Sequence, residues 1–148
     1  MTVREYEPSP AAWVREQVEL YESTNGVQGG TLRETGLPVI IVRSVGRTSG
    51  KLRKTPLMRV SHGGEYALVA SKGGADEHPL WYYNLIAHPD EVWIQDGADL
   101  MAVSVRELSG DEYELWWDRA VAAFPDYADY RKKTTRKIPV FLASPSAA

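Results

Sequence analysis

Short runs of β-branched residues that end at glycine turns constrain the fold of this sequence more than any other feature. The predicted strands lie at residues 38–42, 53–61, 65–70, 91–95, 100–108 and 138–142. His62-Gly63-Gly64 and Asp96-Gly97 are typical of tight turns, and each joins two of these runs. Strands joined by such short turns pair as hairpins, so we expect an antiparallel sheet.

Helical segments separate these strands at irregular intervals, at residues 10–23, 80–87, 109–123 and 125–130. Ser109 and Glu112 have the spacing of a capping box. Because strands and helices do not alternate regularly, the pattern argues against a Rossmann-like parallel sheet. The expected fold class is α+β or mainly β, a small six-stranded antiparallel β-barrel with peripheral helices. We expect one domain over residues 1–148, with a helix and loop at 1–36 and the barrel core at 37–143.

The composition excludes several classes of function. The chain has 148 residues and no cysteine, so disulfides, cysteine zinc sites and thiol nucleophiles are excluded. His62, His78 and His88 lack the spacing of metal ligands, and we expect no metal site. No apolar run approaches the roughly 18 residues that span a bilayer, and the acidic start lacks the pattern of a signal peptide. The expected location is cytoplasmic, with peripheral association at a membrane surface as an alternative.

Charge is strongly segregated along the chain. The formal net charge is -3, yet residues 37–75 carry seven Lys or Arg and one Glu, and both flanks are acidic. Six cations lie between Arg43 and Arg59 with no acid among them, which predicts an anion site. A solvated hairpin tip with outward-facing cations is the alternative. The glycines and hydroxyls of residues 46–51 suit a phosphate, but this loop matches neither a Walker A loop nor a nucleophile elbow.

Three further segments could line a pocket. Residues 70–74 end a strand with small residues and a lysine, which lets a flat ligand approach the backbone, although an ordinary turn has the same pattern. Trp81, Tyr82 and Tyr83 are consecutive on a predicted helix, so they cannot all face one core. Tyr127 and Tyr130 share a helix face, where they either pack or offer hydroxyls at the mouth of a pocket.

In combination, these segments resemble the deazaflavin-dependent nitroreductase family over about residues 37–142. Five segments in register carry the resemblance, at residues 45–57, 69–75, 78–85, 125–130 and 135–140. The resemblance implies a split β-barrel of six strands. It also implies coenzyme F420, an 8-hydroxy-5-deazaflavin with a phosphodiester and an oligoglutamate tail. A polyanionic tail of this kind would suit the basic strip between Arg43 and Arg59.

The resemblance also implies roles for individual residues. The phosphate and tail would be held by Arg47, Thr48, Ser49, Gly50, Arg53 and, more weakly, Lys54. The ring would lie along Pro56, Ala70, Ser71 and Lys72, with Trp81 and Tyr82 closing over it. Met58 and Tyr127 would line the acceptor pocket. Tyr130 would be the catalytic residue there and would supply a proton or a hydrogen bond.

The implied activity is hydride transfer from reduced F420 to an electron-poor acceptor such as a quinone, an activated enone or a nitroaromatic. Two departures from the family pattern leave open how tightly the tail is bound and which acceptor is reduced. Thr48-Ser49-Gly50 stands where many members have Lys-Thr-Gly, so one phosphate-binding cation is missing. Lys133 stands where some nitroimidazole-reducing members carry an aromatic residue, so the acceptor cannot be carried over.

Other functions fit parts of the same pattern. Split barrels also host FMN and haem, and a carrier would bind the deazaflavin without oxidising it. A barrel with cations and aromatic residues could also hold single-stranded nucleic acid. The acidic flanks would repel a long polyanion, so we expect no nucleic-acid partner. The expected partner is a small-molecule electron acceptor, and a homodimer is one expected assembly.

Overall fold

The computed structural model describes residues 4–31 and 36–146 of the chain. Its helices are α1 (Ala12–Thr24), α2 (Leu80–Ala87), α3 (Gly110–Ala123) and α4 (Asp126–Lys133), and Lys72–Gly74 form a 3₁₀ turn. Its strands are β1 (Val39–Val45), β2 (Leu52–Met58), β3 (Ser61–His62), β4 (Glu65–Val69), β5 (Val92–Asp96), β6 (Asp99–Glu107) and β7 (Val140–Pro145). These seven strands form one antiparallel sheet in the order β2-β1-β5-β6-β7-β4-β3.

A link of two residues makes this sheet curl. β2 and β3 lie at opposite edges of the sheet, yet Arg59 and Val60 alone separate them in the chain. An extended link of this length spans about 10 Å, so the two edges must meet. The Arg59 N–H donates to the Pro38 carbonyl (3.0 Å), and the Val60 carbonyl accepts from the Ala67 N–H of β4 (2.9 Å). The sheet is therefore a partly closed barrel.

Helices cover both faces of the sheet. One face packs with α2 around Ile40 and Leu85, and the other packs with α1, α3 and α4 around Ile41 and Trp116. Adjacent residues of β1 point to opposite faces, and all of them except Arg43 are buried. This double coverage explains why the first four residues of β1, Val39–Val42, form an unbroken apolar run rather than an alternating one.

The side chain of Tyr21 fastens α1 to the sheet. Its ring is fully buried, and its hydroxyl accepts a hydrogen bond from the Gly97 N–H (2.7 Å) in the turn between β5 and β6. The same hydroxyl donates to the Gln95 carbonyl (3.3 Å). The contact fixes the end of α1 on the barrel, and the start of this helix then lies beside the cavity described below.

The prediction of six strands is wrong, because the described residues form seven. The predicted strand 53–61 divides at Arg59, where the chain passes from one edge of the sheet to the other. The predicted hairpin between 53–61 and 65–70 is correspondingly reduced to β3 and β4, since β2 pairs with β1 instead. The antiparallel sheet with peripheral helices is confirmed, and α2 has the predicted bounds.

The predicted capping box at the start of α3 is also wrong. Ser109 occupies the cap position, but its side chain makes no capping hydrogen bond. The Glu112 carboxylate instead accepts two hydrogen bonds from the Arg106 guanidinium of β6, at 2.7 and 2.6 Å. This charge-assisted pair holds Glu112 away from the end of the helix.

Tyr21→Phe tests the attachment of α1. The substitution leaves the half-buried Gly97 N–H without its acceptor, so we expect a loss of about 1 kcal/mol in the free energy of unfolding, measured by urea denaturation. Tyr83→Phe is the control, because the Tyr83 hydroxyl has no hydrogen-bond partner within the described residues. Equal losses in the two variants would contradict the role of the Tyr21 hydroxyl.

Candidate functional site

A cavity of about 840 Å³ lies between the N-terminal segment, the β1–β2 loop, β2, α2 and α4. Its polar lining includes Glu7, Arg47, Thr48, Ser49, Arg53, Thr55, Ser71, Lys72 and Asn84. Its apolar and aromatic lining includes Pro10, Trp13, Val14, Pro56, Leu57, Met58, Val69, Pro79, Leu80, Trp81, Tyr83, Phe124, Tyr127 and Tyr130. A cavity of this size and mixed lining is typical of a cofactor site.

The β1–β2 loop is a closed turn in which two backbone N–H groups have no acceptor among the described residues. Within the loop, Gly46 N–H donates to the Lys51 carbonyl (2.8 Å) and Gly50 N–H to the Gly46 carbonyl (2.9 Å). Gly50 has a φ of 70°, which suits glycine. The N–H groups of Thr48 and Ser49 have no acceptor among the described residues. The anion-binding capacity of the loop therefore lies at its tip, where both hydroxyls also lie.

Asn84 of α2 ties this loop to the opposite wall. Its side-chain oxygen accepts a hydrogen bond from the Arg47 N–H at 2.9 Å. The Arg47 guanidinium lies 4.9 Å from the centre of the Tyr83 ring, within the range of a cation–π contact. Asn84 and Tyr83 thus position Arg47 without neutralising its charge.

Most of the six cations between Arg43 and Arg59, which have no acid among them in the sequence, have acidic partners in the fold. Five pair with carboxylates from distant parts of the chain: Arg43 and Lys54 with Glu22 (2.9 and 2.8 Å), Arg53 with Glu7 (2.6 Å), Arg59 with Asp96 (2.9 Å) and Lys51 with Glu5 (3.8 Å). Among the described residues, Arg47 has no carboxylate partner. The fold thus pairs five of these six cations with acids, and Arg47 is the one without an acidic partner in residues 4–31 and 36–146.

The 3₁₀ turn brings Ser71 and Lys72 to the cavity wall. Lys72 has a φ of 47°, a conformation that non-glycine residues rarely adopt. Gly74 packs directly on α4, because a Cβ there would lie 3.0 Å from the Tyr130 carbonyl oxygen. This close approach fixes Tyr130 relative to the turn.

Arg136 holds the same turn from behind. Its guanidinium donates to the carbonyls of Ala70 (3.3 Å), Ser71 (2.8 Å) and Ala75 (2.7 Å). It also lies 3.2 Å from Nδ1 of His78. One side chain therefore satisfies the carbonyls on both sides of Lys72 and orders the turn at the cavity wall.

Tyr127 and Tyr130 of α4 close the apolar end. Their ring centres are 6.1 Å apart, and Tyr127 is 5% exposed whereas Tyr130 is half-buried. Burial raises the pKa of Tyr127 well above its usual value. Burial raises the pKa of Tyr130 too, and the negative charges of Asp126 and Asp129 raise it further. Both phenols are therefore protonated at neutral pH. Neither hydroxyl has a hydrogen-bond partner among the described residues.

Most of the predicted site residues meet in this cavity. Those that line it are Arg47, Thr48, Ser49, Arg53, Pro56, Met58, Ser71, Lys72, Trp81, Tyr127 and Tyr130. Four others do not line it: Gly50, Lys54, Ala70 and Tyr82.

These four residues have other contacts. The Gly50 carbonyl accepts from Arg4 (3.0 Å), and the Lys54 ammonium pairs with Glu22 and lies 4.4 Å from the Tyr6 ring centre. Ala70 is fully buried behind the 3₁₀ turn. The Tyr82 hydroxyl donates to Glu107 (3.2 Å), and its ring stacks on His78 with centres 4.2 Å apart. They support the walls of the cavity and do not form its surface.

The N-terminal wall is the part of the site that the sequence did not predict. Glu7, Ser9, Pro10, Trp13 and Val14 line the cavity, although this segment contributed nothing to the expected site. The available signal was Trp13, a large aromatic residue outside the buried stripe of α1, which is 43% exposed. Asn84 and Phe124 were also missed, because sequence spacing does not show which face of a helix borders a cavity. Tyr83 was named among the aromatic residues that could line a pocket but was given no role.

Within the described residues, no helix is long and apolar enough to cross a membrane. In the same residues, no three His, Cys, Asp or Glu side chains are grouped so that they could hold a metal ion.

Comparison with known proteins identifies the class of protein to which this chain belongs. A family model described as F420H(2)-dependent quinone reductase matches residues 13–145. The chain is 32% identical over 126 residues to an F420H(2)-dependent quinone reductase of Mycobacterium tuberculosis. The aligned region covers 83% of each protein. The chain therefore belongs to the F420H(2)-dependent quinone reductase family, and the predicted resemblance to deazaflavin-dependent reductases is confirmed.

Solved structures agree with this assignment. The structure of an F420-H2-dependent reductase, FDR-A, matches with a TM-score of 0.69 and 49% identity over 72% of this chain and 94% of that one. A second structure, described as a domain-swapped dimer, matches with a TM-score of 0.71 and 46% identity over 92% of this chain and all of that one. A homodimer stays a prediction for the present protein.

The environment of His78 predicts a pH dependence of stability. Burial, and then the Arg136 guanidinium, lower the pKa of His78 below its usual value of 6.5. As the pH falls through 6.5, the unfolded chain takes up a proton before the folded chain does, so stability falls towards the lowered pKa. We expect His78→Phe, which keeps an aromatic ring against Tyr82, to lose less stability than the wild type between pH 7.5 and pH 5.5.

Urea unfolding midpoints at the two pH values measure this difference. The exposed His62 provides the control, since His62→Phe removes a histidine that Arg136 does not contact. The prediction fails when the His78→Phe and wild-type midpoints fall by the same amount.

Proposed function

We propose that the protein is an F420-dependent reductase that binds the coenzyme in this cavity and reduces a quinone there. Family membership supports the cofactor and the reaction class. The observation that carries the placement is that one cavity joins a cationic, hydroxyl-bearing end to an apolar, aromatic end. This donor set fits a cofactor with a flat ring and an anionic tail. When bound, the reduced deazaflavin supplies a hydride to the acceptor.

The β1–β2 loop would hold the phosphate of the cofactor. Arg47 offers a guanidinium with no carboxylate partner in the described part of the chain, and the N–H groups of Thr48 and Ser49 have no acceptor there. Both side chains also offer hydroxyls, although the Ser49 oxygen already accepts a hydrogen bond from the Lys51 N–H (3.1 Å). Arg53 and Lys72 add charge from two neighbouring walls. Bonds from charged donors to a phosphate are roughly twice as strong as neutral ones, so these residues would supply much of the affinity.

The opposite end would hold the ring and the acceptor. Pro56, Met58 and Trp81 line it with apolar surface, which excludes water from the reacting groups. The Ser71 side chain adds a donor beside them. Gly74 holds Tyr130 at a fixed distance from this wall.

Tyr130 would donate a hydrogen bond or a proton to the acceptor as negative charge develops on its oxygen. Its raised pKa keeps the phenol protonated at neutral pH, and its hydroxyl has no competing partner in the described residues. The developing anion of a reduced quinone needs such a donor. A well-placed general acid contributes about 10²–10⁴-fold in rate.

The pairing within the basic strip favours this function over nucleic-acid binding. A single strand would need a row of unneutralised cations along its backbone. Five of the six cations between Arg43 and Arg59 pair with the protein's own acids. The uncompensated charge is therefore local, which suits a short anion within a pocket.

Replacing Arg47 and Arg53 together by alanine tests the role of the cationic end of the cavity. We expect the dissociation constant of F420 to rise about tenfold or more at low salt, because two charged donors are lost. Cofactor fluorescence titration measures it. The control is Arg119→Ala with Arg131→Ala, which changes the net charge equally outside the cavity. Equal affinities in the two double variants, or tight FMN binding without F420 binding, would overturn the proposal.

Tyr130→Phe tests the acceptor end. We expect kcat with a quinone to fall about 100-fold while the dissociation constant of F420 is unchanged, because the donor acts on the acceptor and not on the cofactor. Stopped-flow oxidation of F420H2 measures the hydride step. Tyr83→Phe, which removes a hydroxyl elsewhere on the cavity wall, should keep full turnover. Wild-type turnover in Tyr130→Phe with every acceptor would show that its hydroxyl has no part in the step.

A further inference from the structure

The N-terminal strap, residues 4–7, is attached to the edge of β2. The Leu52 N–H donates to the Glu5 carbonyl (2.8 Å), and the Glu7 N–H donates to the Leu52 carbonyl (2.9 Å). The Arg4 side chain donates to the Gly50 carbonyl (3.0 Å) and pairs with Glu91 (3.0 Å). These bonds fix the backbone at Glu7, so the side chain of Glu7 has a defined place.

That place is inside the cationic end of the cavity. The Glu7 carboxylate lies 2.6 Å from the Arg53 guanidinium, and both residues line the cavity. The Glu7 side chain is 41% exposed and the Arg53 side chain 27%, so solvent and ligands can reach the pair. The protein thus places an acid of its own on a cation that the cofactor's anionic groups would use.

The other acids that pair with the basic strip are placed differently. Glu5 lies two residues away on the same strap, but its side chain is 78% exposed, and it is 3.8 Å from Lys51 outside the cavity. Glu22 pairs with Arg43 and Lys54, and none of these three lines the cavity. Asp96 pairs with Arg59, and neither of these lines it. Within the described residues, Glu7 is therefore the one acid among these partners that faces the cavity.

We propose that Glu7 is a specificity-determining residue that competes with the acidic tail of the cofactor for Arg53. This inference rests on the proposed function. An anionic group that approaches Arg53 must displace the Glu7 carboxylate or lie beside it, and both reduce the gain from the contact. The penalty grows with the number of negative charges on the ligand. Glu7 thus weakens the binding of long oligoglutamate tails more than that of short ones and does not affect the ring.

Glu7→Gln tests the proposal, because glutamine keeps the size of the side chain and removes its charge. The matched control is Glu5→Gln, which removes the same charge from the same strap outside the cavity. Equilibrium titration at low salt would give dissociation constants for three ligands: F420 with a long tail, F420 with a short tail, and the deazaflavin riboside that lacks phosphate and glutamates.

We expect Glu7→Gln to bind long-tailed F420 about fivefold more tightly than the wild type, with a smaller gain for the short tail. The affinity for the riboside should stay unchanged, which also reports an intact ring pocket. Glu5→Gln should show less than half of the gain. All of these differences should shrink at about 0.5 M salt, because screening weakens the charge interactions.

Three results would overturn the inference while leaving the proposed function intact. Weaker binding by Glu7→Gln would mean that Glu7 orients Arg53 for the cofactor. Equal gains in Glu7→Gln and Glu5→Gln would mean that overall charge is responsible. An equal gain for the riboside would mean that the effect does not act on the tail. Failure of the wild type to bind any of the three ligands would instead overturn the proposed function and this inference together.

Discussion

The two-residue link between β2 and β3 is the constraint on which the rest of the structure depends. Because it joins opposite edges of the sheet, the sheet cannot lie flat. Curling brings the β1–β2 loop, the 3₁₀ turn and α4 around a common space, although they are distant in the sequence. The cavity is therefore a product of the closure, and its lining comes from segments that are themselves held by Asn84, Arg136 and Gly74.

In the described part of the chain, the positive charge of the basic strip that has no acidic partner is concentrated at the cavity and does not extend along the strip. The sequence concentrates positive charge in its middle third, but acids from the N-terminal segment and from β5 pair with most of it. Among the described residues, no carboxylate pairs with Arg47: an amide oxygen accepts from its backbone N–H, and its guanidinium lies over an aromatic ring. A chain of net negative charge can therefore present a small cationic site without presenting a basic surface.

Local signals predicted much of the fold, and tertiary contacts account for what they missed. Turn residues and β-branched runs predicted most strands, and α2 has its predicted bounds. The split at Arg59 was not predictable, because no turn residue marks the passage between sheet edges. For the site, the segments around Arg47, Lys72 and Tyr130 were identified by resemblance. Trp13 was missed because the docking of α1 brings it to the cavity, and Glu7 was missed because the pairing of residues 4–7 with β2 places it there.

Gly74 has a consequence for the size of molecule that the apolar end can accept. Its lack of a side chain lets backbone pack on backbone at Tyr130, and such a contact has no rotamers through which it could yield. On another wall, Met58 is an unbranched and adaptable side chain. The apolar end thus has one stiff wall and one compliant wall. If acceptors bind here as proposed, bulkier ones would be accommodated by rearrangement of the Met58 side chain, while the backbone of Tyr130 keeps its position against the turn.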